Sequence, residues 1–316
     1  MENFLTVAQQ VVILFVLMGF GAAMRKAKFF EGGAVDGMVN VLILVVTPCL
    51  IVDVFQRPFD PTKLAGLGIA FLVASLGHCA VIASAYLCVR HRDEDVRKPL
   101  MLAAVFSNAG FMGLPLEQAI LGDEGVFFGV VYVVVFNLFM WSWGYRKIYR
   151  QAESPATRAA IGTNMKMIVN PGTVGLALGL PFFFLSVKLP DVIGVPIHQM
   201  ANLNTPLAMI VIGHYLAGAK LGRVVRMGGV YVAAFIRLVG YPLAMIAVMY
   251  PFRQRLDRDM MLAVTIAASA PVAAMVSMFA AKFRRNVDVS VAIVSGTTLA
   301  SVVTMPMVIA FAMAVL

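Results

Sequence analysis

The chain has 316 residues, of which 61% are apolar and 13% charged, and its mean hydropathy is +0.88. A soluble domain carries about 25% charged and about 45–50% apolar residues, because its surface faces water, so the composition excludes a soluble domain and, despite the net charge of +9, a nucleic-acid binder. The apolar runs are continuous and do not alternate every second residue, which argues against an outer-membrane barrel.

Ten apolar segments are each long enough to cross a hydrocarbon core as a helix, which takes about 20 residues. We expect an all-α polytopic membrane protein with ten transmembrane helices. Arg25, Lys26 and Lys28 follow the first segment, the reverse of a secretory signal's charge order, so we expect that segment to be retained. The predicted spans, numbered one to ten, cover about residues 4–24, 36–56, 63–89, 99–121, 125–145, 169–189, 201–220, 229–251, 259–281 and 288–314.

The loops between the predicted spans differ strongly in basic residues. Of the 25 Lys and Arg residues, 18 lie in the loops that follow spans one, three, five, seven and nine, six lie on the other side, and Arg237 lies within a span. Short cytoplasmic loops carry the excess of Lys and Arg. The count therefore predicts that both termini face outward.

The longest polar stretch divides the chain near its middle. We predict a first five-helix repeat over residues 1–150, a cytoplasmic linker over 151–168 and a second repeat over 169–316. Because five is an odd number, the second repeat enters the membrane in the opposite orientation, as in inverted-topology transporters.

Proline positions support this repeat. Thr47-Pro48 recurs as Thr205-Pro206 after 158 residues, and Pro115 recurs as Pro271 after 156. The threonines Thr47 and Thr205 at the matched positions are candidate substrate-binding residues. Chance similarity between Ala-rich apolar helices is the competing explanation for any single match.

Span four contains the most informative segment, Ser107-Asn-Ala-Gly-Phe-Met-Gly-Leu-Pro115. Pro115 removes a backbone donor and Gly110 and Gly113 let the chain unwind, so we predict a break at mid-membrane. Unpaired backbone at that depth must line a polar cavity or meet protein groups, and a helix N-terminus attracts anions. Asn108, Gly110, Gly113 and Pro115 are therefore candidate substrate-binding residues. The alternative is a proline kink in which Asn108 bonds a neighbouring carbonyl.

Span nine carries Ser269-Ala270-Pro271 at the matching position. Paired breaks in corresponding helices are the best sequence indication of a transport site. Ser269, Ala270 and Pro271 join the candidate substrate-binding residues, with the second half contributing mainly backbone.

These residues resemble the auxin efflux carrier family, which includes the plant PIN-FORMED carriers and bacterial members regarded as malonate or malate permeases. The resemblance covers the whole chain and rests on four segments: Thr47-Pro-Cys-Leu50, Asn108-Ala-Gly-Phe-Met-Gly-Leu-Pro115, Asn170-Pro-Gly172, and Ala270-Pro271 with Ala280-Ala-Lys-Phe283.

The resemblance implies inverted repeats similar to bile-acid sodium symporters, with a scaffold part, a transport part, and broken, crossing helices four and nine. Asn108 matches the family's crossover asparagine, whereas Ala268, Ser269 and Ala270 stand where plant carriers have a second one. The short central loop resembles a bacterial member, which implies a bacterial inner membrane with periplasmic termini.

Three charged residues, Arg237, Glu117 and Asp53, lie inside predicted spans and not at their first or last two residues. Arg237 is a candidate attractor for an anionic substrate; the alternatives are a structural ion pair or an interfacial side chain. Glu117 and Asp53 are candidate proton carriers, although Asp53 also has Arg57 four residues on, which favours an ion pair between them.

The leading hypothesis is a secondary transporter that exports or exchanges small organic anions such as carboxylates. A ligand-gated channel or a non-transporting sensor of organic acids is the alternative. Catalytic and ATP-binding motifs are absent and the three cysteines lack metal-site spacing, so we expect no enzyme, cofactor or metal. The expected partners are the anion and the lipid bilayer, with a homodimer as a further candidate.

Overall fold

The computed structural model describes residues 2–29, 33–148, 171–218 and 227–316, and these ranges contain helices and no strand. The helices are numbered here in chain order: α1 Glu2–Lys26, α2 Ala34–Phe55, α3 Pro61–Cys88, α4 Glu94–Val105, α5 Leu114–Leu121, α6 Asp123–Ile148, α7 Pro171–Leu185, α8 Asp191–Asn202, α9 Asn204–Ala217, α10 Gly228–Phe252, α11 Arg258–Ser269, α12 Met275–Lys282 and α13 Val287–Val315. The all-α class is thus confirmed.

Five of the described helices, α2, α3, α6, α10 and α13, are long and apolar enough to cross a membrane, and α7 is apolar but shorter. Predicted spans four and nine are each divided into two short helices, α4 with α5 and α11 with α12. Ten spans and an inverted repeat therefore stay predictions, and the predicted linker over 151–168 lies outside the described residues.

Helix α8 differs from the sequence-based prediction, in which residues 190–200 connect spans six and seven as a loop. Gly194 and Pro196 lower the helix propensity of this 12-residue segment. The helix nevertheless forms and packs along α2, so tertiary contact outweighs the local signal.

Four helices begin at an acidic or amide side chain that caps their first amides. Asp60, Asp93, Asp257 and Asn286 accept backbone hydrogen bonds at 2.7–3.0 Å at the starts of α3, α4, α11 and α13. A cap of this kind contributes about 1 kcal/mol. Hydrogen bonds donated by the Thr62 hydroxyl and amide also hold the pKa of the Asp60 carboxyl below its usual value.

Ion pairs tie helix ends together on both sides of the bundle. Where α3, α6 and α11 begin, Glu124 bonds Arg57 at 2.7 Å and Lys63 at 2.8 Å, and Lys63 also reaches Asp257 at 3.1 Å. At the other ends of α3 and α6, Arg285 pairs with Asp95 and donates to the Ile148 carbonyl. These basic side chains therefore serve the fold.

The helices pack in two groups. Helices α1, α2, α7, α8 and α9 form one, in which Gly21 and Gly213 let the backbones of α1 and α9 touch. Helices α3–α6 and α10–α13 form the other. An apolar layer that includes Met18, Met209 and Met112 lies between the groups.

Candidate functional site

The interruptions of the two broken helices lie side by side. Residues 106–108, after α4, and 270–274, after α11, are not helical, and Ser107 pairs with Val272 in an antiparallel bridge. Asn108 N donates to Pro271 O at 2.6 Å, and Ala273 N donates to Phe106 O at 3.0 Å. The broken backbones thus satisfy each other, as an apolar environment requires. The sequence predicted both breaks, and we call this paired region the crossing.

Thr297 of α13 completes the crossing. Its hydroxyl accepts a hydrogen bond from Val272 N at 3.2 Å and donates to the carbonyl of Ile293 at 2.7 Å. Sequence reasoning missed this residue, because a threonine in an apolar helix usually bonds only its own backbone.

Arg237 lies behind the crossing, with no exposed surface. Its guanidinium donates to Val105 O at 2.7 Å and to Ala268 O. These carbonyls lie at the C-terminal ends of α4 and α11, where each helix carries roughly half a negative charge. Arg237 therefore neutralises the ends of both helices at the point where they break.

Aromatic hydroxyls connect Arg237 to the crossing. The guanidinium carbon lies 4.7 Å from the ring centroid of Tyr241, and Tyr241 and Tyr132 share a hydrogen bond of 3.4 Å. Ser107 then donates to the Tyr132 hydroxyl at 3.4 Å. His78 lies among these rings, and its Nδ1 is 2.8 Å from the carbonyl of Ala74 in its own helix.

The side-chain amide of Asn108 is the polar group at the crossing that lacks a hydrogen-bond partner in the described residues. The residue is 7% exposed. Its backbone carbonyl accepts from Met112 N at 2.9 Å and Gly113 N at 3.2 Å, which starts a short π-helix, Ala109–Gly113, leading into α5. The amides of residues 109–111 have no backbone acceptor in the described ranges. The alternative in which Asn108 bonds a neighbouring carbonyl is thus not observed.

The other predicted crossing residues shape this region. No atom lies within 4 Å of the place where a Cβ of Gly110 would stand, whereas a Cβ on Gly113 would be 3.4 Å from Ala267 Cα of α11. Pro115 lies in the first turn of α5. Ala270 and Pro271 supply backbone, with Ala270 extended at φ −60° and ψ 147°.

Two predicted hydroxyls turn away from the crossing. Ser269 donates to Ile266 O at 2.8 Å, and Thr47 donates to Leu42 O at 2.9 Å. Both bonds stay within the residue's own helix, and Thr47 thereby satisfies a carbonyl in the π-helical stretch that precedes Pro48.

Asp53 and Thr205 line a separate cavity of about 60 Å³, which lies between α2, the end of α8 and the start of α9 on one side and Gln118 of α5 and Asp123 of α6 on the other. Asp53 bonds His198 of α8 at 2.8 Å. The expected pair between Asp53 and Arg57 is wrong, because α2 ends at Phe55 and Arg57 turns to Glu124. The sequence does not predict this partner, because His198 falls between predicted spans six and seven.

Glu117 is fully buried just beyond the crossing. Neither carboxyl oxygen has a hydrogen-bond partner among the described residues. The carboxyl fits against glycines: a Cβ on Gly129 of α6 would overlap Oε2, and one on Gly113 would be 3.6 Å from Oε1.

These features define a multi-pass helical membrane protein in which two broken helices pair at their interruptions, an arrangement found in secondary transporters. The chain belongs to the auxin efflux carrier family, since the model of that family, described as membrane transport protein, matches residues 6–309. It is therefore a membrane transport protein. No curated protein matched the chain.

Proposed function

We propose that the protein is a secondary carrier of small organic anions, such as malonate or malate, and that it binds them at the crossing. The observation that carries the proposal is the side-chain amide of Asn108, which makes no hydrogen bond in the described residues and stands beside the first backbone amides of the helical stretch 109–121. Such a group can both donate to a carboxylate and orient it without the cost of burying a further charge.

The charge balance of the crossing favours an anion. Arg237 carries one positive charge and meets the two carbonyl ends of α4 and α11, which together carry about one negative charge. The two N-terminal ends, at residue 109 and at α12, then remain with roughly one positive charge in total. A carboxylate at these ends would complete the balance.

We propose alternating access as the mechanism. The group that holds the crossing, α3–α6 with α10–α13, would move against the group of α1, α2 and α7–α9. The contact between the groups includes apolar side chains such as Met18 and Met209, which can slide without breaking hydrogen bonds. The inverted five-helix repeats, residues 1–150 and 169–316, would supply the two related conformations.

A thermal-shift screen followed by a flux assay tests the function. We expect one or more of malonate, malate and aromatic carboxylates to stabilise the purified protein, by about 2.7 kcal/mol at a hundred times the dissociation constant. In proteoliposomes, the same acid should show saturable flux and counterflow. Binding without flux would indicate a sensor, and flux without counterflow a channel.

The topology prediction follows from the basic loops. We propose a bacterial inner-membrane protein with both termini in the periplasm, because 18 of the 25 basic residues fall in one set of loops. Single cysteines introduced at each terminus, in a variant without Cys49, Cys79 and Cys88, should react with an impermeant maleimide in intact cells. Labelling only after cell lysis would reverse the assigned orientation.

A further inference from the structure

We propose that Glu117 binds the proton that is carried together with the anion, so that the protein is a proton–anion symporter. The inference rests on the proposed function, because it concerns coupling at the same crossing. The evidence for it is the position of the buried Glu117 carboxyl and the groups that surround it.

The surroundings of Glu117 are suited to a neutral, protonated carboxyl. The side chain is fully buried, and neither oxygen has a partner in the described ranges. An unpaired buried charge is far more costly than a neutral acid. Gly129 leaves room for the carboxyl but offers it no side-chain donor. The site therefore holds the acid form in the conformation described.

In the part of the chain that the structure describes, no cation pairs with Glu117. Helices α1, α6, α9 and α11 pack against α5, and none of their described ionisable side chains lies within ion-pairing distance of its carboxyl. Those side chains are Arg25 and Lys26 of α1, Asp123, Glu124, Tyr132, Tyr145, Arg146 and Lys147 of α6, His214 and Tyr215 of α9, and Arg258 and Asp259 of α11.

Glu117 and a bound anion would share one source of positive charge. The side chain points back along α5, so that Oε1 lies beside Gly113, whose amide bonds the Asn108 carbonyl. An anion held by Asn108 would therefore be about one to two helical turns away. The N-terminal ends at residue 109 and at α12 together provide about one positive charge, which is enough for one negative group and too little for two.

Anion binding and protonation of Glu117 must then favour each other. Ionised Glu117 is expected to weaken anion binding by about tenfold or more, through repulsion in a poorly solvated site. By linkage, a bound anion raises proton affinity by the same factor. Proton and anion then cross together, and the proton returns to solvent when the anion leaves. With one proton per monoanion, no net charge moves.

Infrared difference spectroscopy on the purified full-length protein tests the protonation directly. We expect the carbonyl stretch of a protonated carboxyl in wild-type protein, its loss in Glu117→Gln, and its retention in Glu94→Gln. Glu94 is the matched control, because it is an exposed glutamate paired with Arg97 at 2.5 Å. In wild-type protein the band should fade as the pH is raised. Absence of the band at every pH overturns the proposal without using any variant.

Transport in proteoliposomes tests the coupling, with malonate, malate and benzoate as probes. A pH gradient should drive uptake in wild-type protein, up to about tenfold accumulation for each pH unit. Glu117→Gln should retain counterflow at equal pH but lose gradient-driven accumulation. Counterflow without any response to the gradient in wild-type protein overturns the coupling but leaves the carrier function intact. Absence of counterflow for every probe contradicts the carrier function itself, while the infrared result still decides whether Glu117 binds a proton.

Discussion

Replacement of Arg237 by methionine is expected to destabilise the protein by about 3 kcal/mol or more. The guanidinium is fully buried and donates to Val105 O and Ala268 O. A hydrogen bond to a charged group contributes about 1.5–3 kcal/mol, and methionine can replace the volume but neither donor.

Repacking of neighbouring side chains cannot restore the stability that Arg237→Met loses. A buried ion pair can often be replaced by apolar residues without cost when both partners are removed. Here the partners are backbone carbonyls, which no substitution removes, and they would remain unpaired at the ends of α4 and α11. Lysine keeps the charge but has one nitrogen, so Arg237→Lys is expected to recover only part of the stability.

Thermal unfolding of the detergent-purified variants measures this effect. Arg237→Met should lower the melting temperature by roughly 10 °C, whereas Arg253→Met should leave it nearly unchanged. Arg253 is a suitable control, because it is partly exposed at the end of α10 and, within the described residues, donates only to the carbonyl of Tyr250, over whose ring it lies. Normal stability combined with anion binding weakened ten- to a hundredfold would instead make Arg237 a direct substrate ligand, as the sequence allowed.

The breaks at the crossing could be predicted from sequence because their causes are local. Proline lacks an amide hydrogen wherever it stands, and two glycines before Pro115 weaken the helix regardless of its neighbours. Pro271 likewise lacks an amide hydrogen, so it favours a break in span nine. The all-α class follows in a similar way from apolar runs whose length matches a membrane.

The partners of polar side chains could not be predicted, because they come from distant parts of the chain. For Arg237 the sequence allows three roles, and the structure shows a further one, in which the guanidinium donates to the carbonyls of Val105 and Ala268. For Asp53 helical spacing favours a pair with Arg57, but α2 ends before Arg57. The actual partner, His198, lies on α8, a helix that its glycine and proline make hard to predict.

Replacement of Asn108 by alanine is expected to abolish transport while leaving the folded protein intact. The side chain makes no hydrogen bond in the described residues, so its removal breaks no internal hydrogen bond. Its loss removes a donor to the substrate carboxylate, which corresponds to about ten- to a hundredfold weaker binding. Counterflow in proteoliposomes and the melting temperature measure the two effects separately.

Asn137 provides the matched control. It lies in α6 and donates to Val133 O of its own helix at 2.9 Å, so Asn137→Ala removes an equal side chain that bonds only its own helix. We expect this variant to retain transport. An equal loss of transport in Asn108→Ala and Asn137→Ala would mean that Asn108 stabilises the fold and does not bind the substrate.

Asn108→Asp sharpens the test, because it preserves shape and reverses the electrostatics. An aspartate at this position would itself bind the first amides of the stretch 109–121 and take up the positive end that the anion needs. The variant should therefore be at least as stable as wild-type protein and yet fail to bind organic anions near neutral pH. If it carried them with unchanged affinity, the anion would have to bind away from these amides, and the crossing would serve only to join the two broken helices.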